Sequence, residues 1–327
     1  MKPDPLRYLV ITPARNEEAF LEFTIRSMVK QTIPPVRWLV VSDGSTDRTD
    51  EIITRCAGQQ DWIELYRMPG RETRDFAGKA RSFNTGYERI RHLPHDAVVS
   101  LDADITFGPD HFEFLLEKLA RDPQLGLVGT PFSEDGMTYD YRYSSADHVS
   151  GACQVFRREC FESIGGYVES KGGGIDVIAV LTARMRGWRT HTFTERICEH
   201  HRPMGSANHR RKIVANFKLG QRQYCIGFHP LWQIIRSLYQ MTRKPYVTAG
   251  GVLCLGYFWA MARRLPRPIS PELIAFQRRD QMRRLRAFLH LGSANPPTPA
   301  ASASSGSAPN HPGKAPVAGE GIQPLSK

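Results

Sequence analysis

Short apolar runs alternate, through the front of the chain, with segments whose apolar positions recur at helical spacing. Tyr8–Ile11, Val36–Val41, Trp62–Tyr66, Ala97–Leu101, Leu125–Gly129, Cys153–Phe156 and Trp188–Phe193 read as strands. The helical pattern covers Glu17 to Gln31, with Asn16 as its cap and Phe20, Ile25, Met28 and Val29 on one side. It returns from Thr46 to Cys56, from Lys79 to Arg91, from Pro109 to Ala120, from Arg158 to Ile164, and from Asp176 to Arg186. Pro34-Pro35 ends the first helix, and Gly165-Gly166-Tyr167 is a turn. Gly70–Gly78 reads as a charged loop, and Phe132–His148 as a flexible loop over the site. Strands alternating with helices predict βαβ units: an α/β fold whose Rossmann-like, mainly parallel sheet is flanked by helices. Ligands of such sheets bind beyond the carboxyl ends of the strands.

The rear has another character. Pro245 to Ala262 is uncharged for 18 residues and lies between Arg243-Lys244 and Arg263-Arg264. It is too short and Gly-rich for a spanning helix, so the expectation is a helical region lying on a membrane, with basic flanks holding headgroups. The alternative is an ordinary buried helix pair packed on the front domain. Beyond Gly292 the chain is Pro/Ala/Ser/Gly-rich and is expected to be a disordered tail. The expected division is therefore 1–205, 206–291 and 292–327.

Charge sharpens that division. Of the net +11, Arg202 to His290 carries 17 Lys/Arg against Glu272 and Asp280, which leaves +15 there and −4 elsewhere. The rear should meet an anionic surface, the inner leaflet of an anionic membrane. No nucleic-acid motif accompanies the basic residues, so nucleic acid is not an expected partner. The six cysteines show no metal or disulfide spacing, and no leader-like segment opens the chain, so the cytoplasmic face of the cell membrane is the expected location.

Candidate chemistry gathers where strands end. Asp102-Ala103-Asp104 closes the run Ala97–Leu101, and two such carboxylates can hold one hard divalent cation with positions open to a diphosphate. Asp43 closes the second strand within Ser42-Asp43-Gly44-Ser45-Thr46-Asp47; it can accept from a base N–H or a ribose hydroxyl, or serve an Asx-turn. Pro13 and Ala14 offer a small, stiff turn for a flat base. Glu17 either contacts a nucleotide or favours a helix N-terminus. Lys79 and Arg81 either neutralise a diphosphate or face solvent.

The ordered set Thr12-Pro13-Ala14-Arg15-Asn16-Glu17, Ser42-Asp43-Gly44-Ser45-Thr46-Asp47, Asn84 with Gly86, and Asp102-Ala103-Asp104 resembles the motifs of family-two glycosyltransferases of the GT-A fold, over roughly residues 7 to 200. The resemblance implies a nucleoside-diphosphate sugar donor, Mn2+ or Mg2+, and transfer with inversion at the sugar carbon. It implies donor binding by Pro13, Ala14, Glu17, Asp43, Arg81 and Asp102. The metal is expected on Asp104, Asp102 and, after the last strand, His200, with its neighbour His201 the alternative and a phosphate contact the other role for either. Inversion needs a base on the acceptor side, and Asp176 after Gly172-Gly173-Gly174 fits it, although Ile175 stands where a first acid is expected. Asp176 is also placed to cap its helix. The expected acceptor is a lipid-linked saccharide or polyprenyl-phosphate-type lipid, in surface or extracellular polysaccharide assembly.

Two other classes stay open. A sugar-phosphate nucleotidyltransferase would want a Gly-rich loop after the first strand, and Thr12–Glu18 has no Gly. A non-catalytic membrane scaffold on the same fold is favoured by Ile175 and opposed by the intact Asp102 and Asp104. The lack of Gly-x-Gly-x-x-Gly after the first strand argues against a dehydrogenase.

Overall fold

The computed structural model describes residues 5–69, 76–134, 137–138, 146–202, 209–242 and 246–290. In chain order the front elements are β1 (Tyr8–Ala14), α1 (Leu21–Val29), β2 (Arg37–Asp43), α2 (Thr49–Ala57), β3 (Ile63–Met68), α3 (Phe76–Ile90), β4 (Ala97–Leu101) and β5 (Ile105–Thr106). There follow α4 (His111–Arg121), β6 (Leu125–Gly129), β7 (Phe132–Glu134), β8 (Met137–Thr138), β9 (Cys153–Arg157), α5 (Arg158–Ile164), α6 (Ile175–Met185), β10 (Arg189–Thr192) and β11 (Cys198–His200). The rear consists of α7 (His209–Cys225), α8 (Pro230–Met241), α9 (Thr248–Ala262) and α10 (Pro271–His290).

The main sheet has the order β10-β6-β9-β4-β1-β2-β3, with every neighbouring pair parallel except the two that involve β9. The mainly parallel α/β expectation is met. Successive strand residues point to opposite faces. Tyr8, Val10, Trp38, Val40 and Val99 pack with α1 and α4, while Leu9, Ile11, Leu39, Val41 and Val98 pack with α3, α5 and α6. At Gly86 a Cβ would lie 2.8 Å from Val41 Cγ2 and 2.9 Å from Ile11 Cγ2, so α3 sits this close to the sheet because that residue has no side chain. A second sheet, β5-β11-β7-β8, is built from short strands that leave the carboxyl end of the first.

Helix boundaries moved where side chains found work outside the helix. Asn16 does not cap α1: it adopts φ 56°, and its Oδ1 accepts from Thr46 N at 2.8 Å. Helix α1 accordingly starts only at Leu21. Nor does Thr46 cap α2; Asp47 accepts from Thr49 N at 3.0 Å. Helix α3 begins at Phe76, inside the expected loop. Pro109 precedes α4 rather than opening it, and Cys198–His200 pairs as a strand instead of trailing the last one. The expected loop Phe132–His148 falls largely outside the described residues, as does everything expected beyond Gly292.

His111 is buried at the head of α4, and burial pulls its imidazole down to about 4. Its unfolded value lies near 6.5, so between these limits the unfolded chain binds the extra proton and stability must fall as pH falls. We expect this residue to remove about 3 kcal/mol between pH 6.5 and 4. In urea titrations across that range, His111→Phe should flatten the pH dependence; an unchanged slope would place the titration elsewhere.

The rear helices pack through glycine. A Cβ on Gly220 of α7 would lie 2.1 Å from Leu253 O, one on Gly256 of α9 2.2 Å from Phe217 O, and one on Gly250 2.2 Å from Ser237 O of α8. Bare backbone is what lets α9 lie against both neighbours. Among the described residues no helix is long and apolar enough to cross a membrane. Residues through Arg286 form one unit.

Candidate active site

The strand order places a switch point between β1 and β4: from β1 the chain winds outward through β2 and β3, then returns to the other side as β4. A crevice opens beyond the carboxyl ends of two such strands. The loop after β1 is laced to the loop after β2. Glu17 N donates to Thr49 Oγ1 at 2.8 Å, Glu18 N to Asp47 Oδ2 at 3.1 Å, and Arg48 N to Glu18 Oε2 at 3.1 Å. Ser45, Asp47 and Thr49 thus hold the turn that carries Glu17. Asp43 is the last residue of β2 and is 6% exposed. Pro13 is half-buried beside Val41, whereas Ala14 packs into the core, so only Pro13 offers a surface.

On the other side of β1, Asp102 follows β4 and its N–H donates to Ala152 O at 2.9 Å. The chain turns at once into β5, which pairs antiparallel with β11 so that Ile105 faces His200. This register brings a residue almost a hundred positions away onto the acids. Asp102, Asp104 and His200 each offer an atom within 4.8 Å of the others. His200 Nε2 lies 3.5 Å from Asp104 Oδ1, while its buried Nδ1 has no hydrogen-bond partner among the described residues. Two carboxylates and an under-satisfied imidazole are a donor set that fits a divalent ion of the Mn2+ or Mg2+ kind.

Two cations border the cluster. Arg202 Nε is 3.3 Å from Asp104 Oδ2, and its Nη2 pairs with Glu17. Lys79 Nζ pairs with Asp102 and reaches Gly151 O at 3.5 Å. Burial works against the charge of Lys79, yet Asp102 beside it, with Asp176 and Asp104 further off, holds the ammonium above its ordinary value. A half-buried lysine kept charged next to a diacid is suited to meet phosphate oxygens.

Asp176 joins from the opposite wall. Gly174, at φ 80°, starts α6, and Asp176 lies in its first turn, where the helix dipole favours a carboxylate. Gly151 touches it: a Cβ there would be 3.2 Å from Asp176 Oδ2. Ile175 is buried in the core formed with α3, so position 175 faces away from the crevice and Asp176 alone of the two presents a group to it. His148, itself exposed, stands near Asp176. The loop bearing His148 and Gly151 is fastened to α10. Arg284 donates to Asp147 Oδ2 and to Asp280 Oδ2, each at 2.9 Å, and Arg184 clasps Asp280 with two bonds of 3.1 Å.

Glu17, Asp102, Asp104 and His200 are therefore brought together, and Asp176 is linked to them through Gly151 and Lys79. Asp43 ends the strand on the far side of β1. Arg81 is elsewhere: its guanidinium pairs with Glu169 at 2.6 Å, and Lys79 takes the place expected of it. Residues 79 and 81 are about 200° apart on a helix, so only one can face the acids. Asn84 is structural, exchanging hydrogen bonds of 2.8 and 3.0 Å with the backbone of Tyr167.

Acids gathered at the switch point of a mainly parallel sheet fit the GT-A arrangement that the sequence resemblance implies. The chain belongs to glycosyl transferase family 2, whose family model matches residues 9–179. It is 29% identical to the poly-beta-1,6-N-acetyl-D-glucosamine synthase of Staphylococcus aureus over 225 residues, which is 67% of this chain and 48% of that protein. The chain thus spans about half the length of the curated relatives it matches. Its fold is similar to the mannosyltransferase PcManGT from Pyrobaculum calidifontis in complex with GDP-Man and Mn2+, with TM-score 0.53, 21% identity and coverage of 88% of this chain and 81% of that one. It is also similar to residues 1–349 of S. aureus TarS in complex with UDP, with TM-score 0.50, 11% identity and coverage of 79% and 91%.

Proposed function

We propose that the chain transfers a sugar from a nucleoside diphosphate to a hydroxyl of a lipid-linked saccharide, with inversion, at the cytoplasmic face of a membrane and in the assembly of a surface or extracellular polysaccharide. The observation that carries it is the convergence of Asp102, Asp104 and His200 beside Lys79 and Arg202, with Asp176 across from them. Residues 1–205 hold the donor chemistry, and 206–291 serve the acceptor side.

Asp102, Asp104 and His200 would hold a divalent cation, which when bound offsets negative charge on the leaving diphosphate. Lys79 and Arg202 add positive charge along the same edge. Glu17, Asp43 and Pro13 border the space for the nucleoside. Asp176 takes the proton from the acceptor hydroxyl. The acceptor oxygen then bonds to the anomeric carbon as the bond from that carbon to the diphosphate oxygen breaks, and the electron pair leaves with the nucleoside diphosphate. A phosphate acceptor is already ionised and needs no such base, so the presence of Asp176 favours a hydroxyl. The relative named as a polysaccharide synthase and the neighbour in complex with GDP-Man and Mn2+ support the polymer setting and the metal.

The deciding measurement is a thermal-shift screen of UDP, GDP, dTDP and CDP with and without manganese. One nucleotide should stabilise the chain selectively and only with the metal; at a concentration 100-fold above its Kd the gain is about 2.7 kcal/mol. No shift with any nucleotide would overturn the donor reading.

A further inference from the structure

Helix α8 is built inside out. Its inward side carries Gln233 and Ser237, both fully buried and bonded to each other at 3.2 Å. Leu231, Ile234, Ile235, Leu238 and Tyr239, at helical spacing, are all exposed, Leu238 by 55%. A helix on a water-facing globule turns its apolar stripe inward and leaves polar residues outside. At these positions the order is reversed.

The neighbouring elements continue the pattern. Helix α9 has no charged residue, yet Leu255, Trp259 and Met261 are exposed, and so are Tyr246 and Val247 just before it. The contacts of α9 with α7 and α8 run through Gly220, Gly250 and Gly256, with backbones in direct touch. Helices associate in this way where apolar side chains gain nothing by hiding from the surroundings. An apolar surface this continuous marks a binding face.

The charge around it selects the occupant. Exposed Arg263 and Arg264 lie at the end of α9, and exposed Lys218 lies on the adjoining α7. At the amino end of α8, His229 lines an open cavity of ≈ 580 Å³ together with Arg278, Arg279, Arg283 and Arg286. An apolar strip with guanidinium and ammonium groups at its margin complements acyl chains beneath anionic headgroups. A water-soluble protein partner would meet the apolar strip but leave these cations unmatched unless it were acidic.

We propose that the exposed faces of α8 and α9 insert into the interfacial layer of an anionic phospholipid bilayer, with Leu231, Ile234, Leu238 and Trp259 among the acyl chains and the α10 arginines on lipid phosphates. The membrane setting rests on the lipid-linked acceptor proposed above, and the experiment reads the two apart.

The full chain is spun with vesicles of phosphatidylcholine alone or containing phosphatidylglycerol, at physiological ionic strength. The wild type should pellet with the anionic vesicles and stay largely in solution with the neutral ones. The pair Ile234→Glu and Leu238→Glu should lower vesicle affinity about tenfold or more, while Ile234→Val with Leu238→Met keeps it. Both pairs are on the surface, and circular dichroism together with the nucleotide-induced thermal shift should match the wild type. A glutamate pair that still pellets like the wild type overturns the proposal, as does a wild type that ignores anionic vesicles. A wild-type dimer in solution that the glutamate pair splits into monomers, with vesicle binding unaltered, would assign the face to a second copy instead. Loss of vesicle binding with the nucleotide response intact leaves the donor chemistry standing; a missing nucleotide response in the wild type with vesicle binding intact strikes the transferase reading alone.

Discussion

Asp104→Ala removes the manganese-dependent part of the nucleotide thermal shift. Asp104 is 8% exposed, faces His200 and Arg202, and contributes one of the two carboxylates of the cluster. Losing it leaves Asp102 and His200, too few protein ligands for a hard ion that wants several oxygens. A 100-fold loss of affinity, with nucleotide at 100 times the wild-type Kd, reduces linkage stabilisation from about 2.7 to about 0.4 kcal/mol. For a domain of this size that is a fall of roughly 4 °C in the ligand-induced shift. The comparison that matters is each protein with and without metal, because the substitution also frees Arg202 from one partner and alters the baseline. A variant that keeps the wild-type manganese response would remove Asp104 from the metal site.

Asp176→Asn should separate binding from transfer. An asparagine keeps the size and the first-turn position of the side chain but cannot take a proton, so kcat should fall about 10²- to 10⁴-fold, or about 3 to 5 kcal/mol in the barrier. Under the base role proposed for Asp176, which stands beside Gly151 and His148, donor affinity should hold. If the carboxylate served only the helix dipole, the change would cost under about 1 kcal/mol of stability and leave turnover almost intact. Steady-state kinetics with a fixed donor and varied acceptor, alongside a melting curve, distinguishes the two. Turnover within threefold of wild type would relieve Asp176 of the base role.

The parts of the fold that were legible in sequence are those set by short-range pattern. β1, β2, β4 and β6 are apolar runs bounded by turn residues, and their parallel order follows from the helices between them. The acids at Asp43 and Asp102 were visible because a strand end is a place the pattern itself defines. What long-range pairing decides was not visible. Nothing local in Cys198–His200 marks it as a strand, and only its ladder with β5 brings His200 to Asp104. Asn16 looked like a helix cap because its chemistry fits one, but the neighbouring loop competes for the same oxygen and wins. The preference for Arg81 over Lys79 failed on helix geometry, which fixes that the two point apart but not which one faces the crevice. In α8 the apolar period was present in the sequence; which side of the helix the rest of the protein would cover was not.

The arginines around Asp280 have a consequence for how substrates meet. Through Asp147 they tie the loop beside Asp176 to α10, whose other arginines border the basic cavity. The lipid seating proposed above would then fix the height and tilt of the loop beside Asp176 as well. A saccharide on a lipid anchor would search for that loop by lateral diffusion in a plane, at a local concentration far above its bulk value, while the donor arrives freely from water.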